Sequence, residues 1–143
     1  MSATEFLDTN ILVYAFSQTE DSRHQTASTL VERHLEKQSA ACSVQVLKEF
    51  YVVTTRKLQV PLSHSDATSI ISDLITATRV IEDSVPLLRR ALDIKQLHSI
   101  SLWDACIVAS AECAGCELLV TEDLSHGMLI EGVRLFNPFR GQT

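Results

Sequence analysis

Short apolar runs alternate with amphipathic helical stretches along the whole sequence, which predicts an α/β sandwich with a mainly parallel central sheet of four to five short strands. With only 4 Gly and 3 Pro in 143 residues, the chain is built mostly from regular elements joined by tight connections. No repeat, low-complexity tract or linker rich in Gly, Ser or Pro divides it. Residues 1–143 therefore read as a single domain, long enough to bury a sizeable core without disulfides.

Glu5-Phe6-Leu7 opens as a short strand. The chain then turns at Asp8-Thr9-Asn10 into the apolar stretch Ile11 to Phe16. Ser17 to Ser22 are polar and read as a loop. A helix is expected over Arg23 to Lys37, with Ala27, Leu30, Val31 and Leu35 on one stripe. Ala40-Ala41-Cys42 reads as a buried strand, and Ser43 can cap a helix from Val44 to Lys57. Pro61 breaks that pattern, and Ser65 opens a helix in which Ala67, Ile70, Ile71, Leu74 and Ile75 share a face. Arg79-Val80-Ile81 is the next strand. Ser84 can cap a helix to about Leu97, with Pro86 tolerated in its first turn. Ser101 starts a helix to about Ala114, and strands follow at Glu117 to Val120 and Val133 to Phe136.

Composition removes several chemistries. The four glycines, Gly115, Gly127, Gly132 and Gly141, cannot write a GxxxxGK[ST] phosphate loop, a GxGxxG turn or a GxSxG elbow. With 18 Asp plus Glu against 12 Lys plus Arg, the net charge of −6 argues against a broad basic footprint for duplex DNA. The run Ile11 to Phe16 is far shorter than the about 20 residues that span a bilayer. Glu5 and Asp8, with no basic residue, flank it, which speaks against a secretory signal. Cys113-Ala-Gly-Cys116 is a lone CxxC without a second ligand pair, and Cys106 and Cys113 fall in an Ala-rich helical stretch. We read the four cysteines as structural thiols in a reducing, cytoplasmic setting, with no membrane partner.

Most acids sit in loops or on polar helix faces. Asp8, Glu49, Asp104 and Asp123 do not. Asp8 and Asp123 follow strands, at the carboxyl edge where open α/β sheets bind ligands. Glu49 shares a stripe with Val46, Phe50 and Val53, and Asp104 one with Ile107, Val108 and Ala111. Each has an ordinary reading. Asp8 can cap a helix starting at Asn10, and Asp123 one following Val120. Asp104 can close a capping box with Ser101, and Glu49 can snorkel past Phe50. Those readings leave unexplained why four acids should converge with no basic partner placed beside them. Packed carboxylates repel, and burial raises their pKa values; a hard divalent cation, Mg²⁺ or Mn²⁺, resolves both. No HExxH pattern supports zinc. Such a set around one or two ions suits phosphodiester hydrolysis. Two Mg²⁺ would take the formal charge from −6 to −2, so part of the acidity reads as a cation site.

Phe6-Leu7-Asp8-Thr9-Asn10-Ile11-Leu12-Val13-Tyr14, Glu49, Asp104-Ala105 and Leu119-Val120-Thr121-Glu122-Asp123 together resemble a PIN domain, specifically the small VapC-type toxins of toxin–antitoxin pairs. The resemblance implies a PIN-like α/β/α sandwich and an Mg²⁺- or Mn²⁺-dependent endoribonuclease. Asp8, Glu49, Asp104 and Asp123 would then be the catalytic metal ligands, and Thr9, Asn10 and Thr121 would hydrogen-bond and orient them. It also implies an RNA substrate, a cognate antitoxin and a homodimer. Glu122 alternates away from Asp123 and ranks below the four. Apolar positions on the helix from Arg23 to Lys37 and on the one after Ser43 could leave a groove for a partner helix, or simply pack on the sheet. The competing classes are a catalytically inactive RNA-binding module and a flap-type DNA nuclease. An aspartyl-nucleophile phosphatase would need a second Asp where Asn10 stands.

Overall fold

Every helix in the computed structural model, which describes residues 3–18 and 21–141, begins where a short polar side chain closes its first turn. Strand β1 (Glu5–Leu7) runs into α1 (Thr9–Phe16), capped by Asp8. Asp21 caps α2 (Ser22–Lys37), which leads to β2 (Ala40–Ser43). Ser43 caps α3 (Val44–Arg56), and Ser63 caps α4 (His64–Ala77). After β3 (Arg79–Ile81), Ser84 caps α5 (Val85–His98) and Ser101 caps α6 (Leu102–Cys113). The chain ends in β4 (Leu118–Val120), β5 (Leu129–Ile130) and β6 (Val133–Phe136). Each cap's oxygen satisfies an amide that the helix itself leaves open.

The strands form one sheet in the order β3-β2-β1-β4-β6-β5. All neighbours are parallel except β5, which runs antiparallel to β6. From β1 the chain moves outward to β2 and β3, then returns through α5 and α6 to β4 on the opposite flank. Connections therefore diverge between β1 and β4, and a crevice opens at the carboxyl ends of such a pair. Asp8 N–H donates to Val120 O at 3.0 Å, tying the two ends together.

Strands covered on both faces read as continuous apolar runs. Phe6, Leu7, Leu119 and Val120 are fully buried accordingly, in one core with Ile11, Leu12, Phe50 and Ile94. Helix α6 is buried almost all round through Ala105, Ile107, Val108, Ala109 and Ala111, and it packs most extensively against α5. Its small side chains permit that close approach.

Several expectations change. The sheet has six strands among the described residues rather than four to five, because two-residue β5 carries no periodic signal. The helix expected from Ser65 starts at His64 on a Ser63 cap, and the apolar stretch after Asp8 is helical from Thr9. No helix follows β4 before β5, so Asp123 caps none. Within the loop expected over Ser17 to Ser22, Asp21 is a cap and Ser22 is already helical, while Thr19 and Glu20 lie outside the described residues. The stripe on α2 packs inward through Ala27, Leu30 and Val31, with Leu35 partly buried.

No helix among the described residues is long and apolar enough to cross a membrane. All four cysteines are free thiols. The Cys113–Cys116 segment forms the end of α6: Gly115 takes φ +74°, and Cys116 N–H reaches Ala111 O at 3.0 Å. Burial pushes the Cys116 thiol up to about 11, the opposite of a reactive redox cysteine.

Candidate functional site

Asp8 occupies the last position before α1, and its two oxygens face different elements. Oδ1 accepts from Thr9 N–H at 2.7 Å, and Oδ2 accepts from the Thr121 hydroxyl at 2.8 Å. One carboxylate thus closes a helix and also presents itself at the crevice, so the capping and site readings coexist. Asp8 is 6% exposed. Burial pushes it up to about 6; the hydrogen bonds from Thr121 and Thr9 oppose that rise, and the charges of Asp123 and Glu49 add to it.

Glu49 projects from α3 beside buried Val46 and Phe50. Its Oε2 accepts from the Thr9 hydroxyl at 2.8 Å and its Oε1 from Gln45 Nε2 at 3.0 Å. Thr9 consequently touches two acids, Asp8 through its amide and Glu49 through its hydroxyl. Asp104 is the third residue of α6, where its N–H donates to Ser101 Oγ at 3.0 Å. Asp123 stands exposed in the loop after β4, its N–H donating to Thr121 Oγ1 at 3.1 Å. It too is raised, first by burial at the cleft rim and then by the charges of Asp104, Glu122 and Glu49, while a hydrogen bond from Asn10 opposes them. Asn10 also fixes this loop through its Oδ1, which accepts from Glu122 N–H at 3.3 Å, and its Nδ2, 3.5 Å from Thr121 Oγ1.

Asp8, Glu49, Asp104 and Asp123 line one cleft of about 410 Å³, together with Thr9 and Asn10; Thr121 is buried behind Asp8. Among the described residues none of the four acids forms an ion pair with a Lys, Arg or His. Glu122 is different. Tyr14 Oη donates to it at 2.8 Å, and Arg23 Nε lies 3.3 Å away, so its charge is met within the protein. Among the described residues no three His, Cys, Asp or Glu are drawn close enough, as placed, to hold one ion. The donors are nonetheless all hard oxygens, and Asp8 and Asp123 are raised first by burial and then by neighbouring carboxylates, a donor set that fits a hard divalent cation.

The sequence reading missed Tyr14, Gln45 and Trp103, which also line the cleft. Gln45 stands one helical turn before Glu49, a spacing at which helix side chains meet, and that was the one signal available.

A family model of the PIN domain matches residues 6–126. The chain belongs to the PIN-domain family. The PIN fold also brings it close to solved structures. It superposes on a toxin–antitoxin complex from Klebsiella pneumoniae at TM-score 0.67 and 21% identity, covering 94% of this chain and 98% of that one. VapC20 of Mycobacterium tuberculosis, described as a sarcin–ricin loop cleaving toxin, gives 0.65 and 22%, over 81% and 87% of the two chains. VapBC2 of Rickettsia felis, bound to a promoter DNA fragment, gives 0.65 and 20%, over 92% and 96%. No curated protein matches this PIN domain by sequence.

Proposed function

We propose that this PIN domain, taken as one unit over residues 1–143, is a Mg²⁺-dependent endoribonuclease, Mn²⁺ substituting, and the toxin of a toxin–antitoxin pair. The reading rests on one observation above all. Four carboxylates from distant parts of the chain share a cleft with no cationic partner among the described residues, and Asp8 is held up to about 6. The neighbouring folds, a toxin–antitoxin complex and a sarcin–ricin loop cleaving toxin among them, support the same class.

A divalent cation bound there would supply an activated water and charge neutralisation at the phosphodiester. Asp8, Glu49 and Asp104 are the residues to hold it, with Asp123 at the exposed rim. Thr121 and Thr9 fix the Asp8 carboxylate, and Thr9 and Gln45 fix Glu49, so both present their oxygens without rotamer search. The antitoxin is the proposed protein partner. An apolar hollow of about 810 Å³ between α3 and α4, lined by Leu47, Tyr51, Ile71 and Ile75, suits a partner helix better than the buried stripe of α2. A homodimer in the cytoplasm completes the reading.

The test is cleavage of RNA by purified protein with Mg²⁺, which Asp8→Asn and Asp104→Asn should abolish. Equal cleavage by both variants would mean a contaminating nuclease and overturn the assignment. Calorimetry showing neither Mg²⁺ nor Mn²⁺ binding would favour an inactive RNA-binding module.

A further inference from the structure

Trp103 is the single tryptophan of the chain, and it is 68% exposed although it immediately precedes Asp104 in the first turn of α6. It forms the wall shared by two hollows. One is the acid cleft; the other, of about 840 Å³, lies between α3 and the helices α5 and α6. Gln45 Nε2 donates to Glu49 Oε1 at 3.0 Å and lies 3.5 Å from Trp103 O, so the backbone carrying the indole is linked to an acid of the cleft. Lys48 lines the second hollow beside Glu49, is exposed, and forms no ion pair among the described residues.

Because Trp103 lines the acid cleft itself, a base flanking a phosphodiester held at the four acids would meet this wall. The second hollow joins an apolar, aromatic-edged surface to one cation, Lys48, with the carboxylates of Glu49 and Asp83 also on its lining. That is the chemistry of a nucleobase followed by a phosphate, and the acid cleft supplies no such cation.

We propose that Trp103 is the platform on which the unpaired nucleobase beside the scissile phosphate stacks, with Lys48 meeting the adjoining phosphate. This rests on the nuclease reading above and gives it a substrate criterion. Stacking needs an open base face, so the platform selects unpaired over duplex strands while tolerating any base. The exposed Val85 and Leu88 border the same hollow from α5, so a second copy of the chain is the rival occupant.

The lone tryptophan makes the test site-specific. Fluorescence of the full-length protein is titrated with hexa-adenylate RNA and with an abasic ribose-phosphate strand of equal length, Ca²⁺ replacing Mg²⁺ to slow turnover. Hexa-adenylate should quench Trp103 and the abasic strand should not. Trp103→Ala, followed by anisotropy of labelled RNA, should bind about five- to 150-fold more weakly, the range expected for one lost stack, and Trp103→Phe should recover most of the loss. Lys48→Ala should weaken both strands alike and flatten the salt dependence by about 0.7 per contact. Absent quenching, equal quenching by both strands, or Trp103→Ala binding within about twofold of wild type would overturn the platform. So would a dimer whose tryptophan emission is already blue-shifted and indifferent to RNA. Cleavage in Mg²⁺ is scored separately. Quenching without cleavage sinks the nuclease and spares the platform, whereas cleavage whose KM ignores Trp103→Ala sinks the platform alone.

Discussion

The hydroxyl of Thr121 donates to Asp8 Oδ2 at 2.8 Å, joining residues 113 positions apart in the chain. Thr121 Oγ1 in turn accepts from Asp123 N–H at 3.1 Å. One threonine therefore sets both the ionisation of the buried acid and the course of the loop that carries the exposed one. Thr121→Val keeps the shape and removes the hydroxyl. It should destabilise the protein by about 1–3 kcal/mol, because the buried Asp8 carboxylate and the part-buried Asp123 amide lose their partner. It should also raise Asp8 further and move the onset of cleavage to higher pH, with Thr121→Ser restoring both. Urea unfolding and a pH–rate profile measure these effects; an unshifted profile would contradict the role given to the hydrogen bond.

Metal-free protein should lose stability as pH rises from about 4 to 6. Asp8 has an ordinary value of 3.8 and is pushed up to about 6, so the native state holds its proton more tightly than the unfolded chain. The associated stability is fully present below 3.8 and lost as pH passes about 6. Two pKa units correspond to about 3 kcal/mol. Glu5, held low by its hydrogen bond to His34, acts in the opposite sense and loses its contribution on acidification. Denaturation in EDTA across this range should therefore show a falling component that Asp8→Asn removes.

A divalent cation should reverse that loss. At about 100 times its dissociation constant, Mg²⁺ or Mn²⁺ bound only by the native state adds about 2.7 kcal/mol. Thermal melts should show the gain at pH 7.5 and its absence in Asp8→Asn. Asp123→Asn should weaken the gain less, since Asp123 is exposed while Asp8 is 6% exposed. Identical melts with and without metal would remove the cation from the proposed mechanism.

His34 offers a contrast between stability and activity. It is 3% exposed at the end of α2, with Nδ1 2.6 Å from Ser39 Oγ and Nε2 3.1 Å from Glu5 Oε2. His34→Ala strands a hydroxyl and a half-buried carboxylate and should cost about 2–4 kcal/mol. The site lies at the other end of β1, so specific activity of the folded fraction should stay within about twofold.

The helices were legible because their boundaries are written in side-chain chemistry. Ser43, Ser84 and Ser101 each donate a cap at the expected position, and the apolar spacing fixes the inward faces. Strand β5 was invisible for the same physical reason in reverse. Two residues have no period, and the turn after it uses Glu131 at φ 51° and Gly132 at φ 83° without the Asn or Asp that usually signals it. Asp8, Glu49 and Asp104 stood out because acids interrupted apolar patterns. Tyr14, Gln45 and Trp103 obey their local patterns, and only the fold shows that they face the cleft. Asp123 was open to a capping reading because sequence alone does not distinguish a helix start from a bend.

The adjacency of β1 and β4 has a consequence for how the molecule comes into being. The strand that pairs with Asp8's own, and the hydroxyl that orients its carboxylate, are synthesised more than a hundred residues after it. A nascent chain interrupted before Thr121 holds at most three of the four acids and no assembled cleft. On the proposed function, fragments that stop short of β4 and Thr121 should therefore be inactive as nucleases.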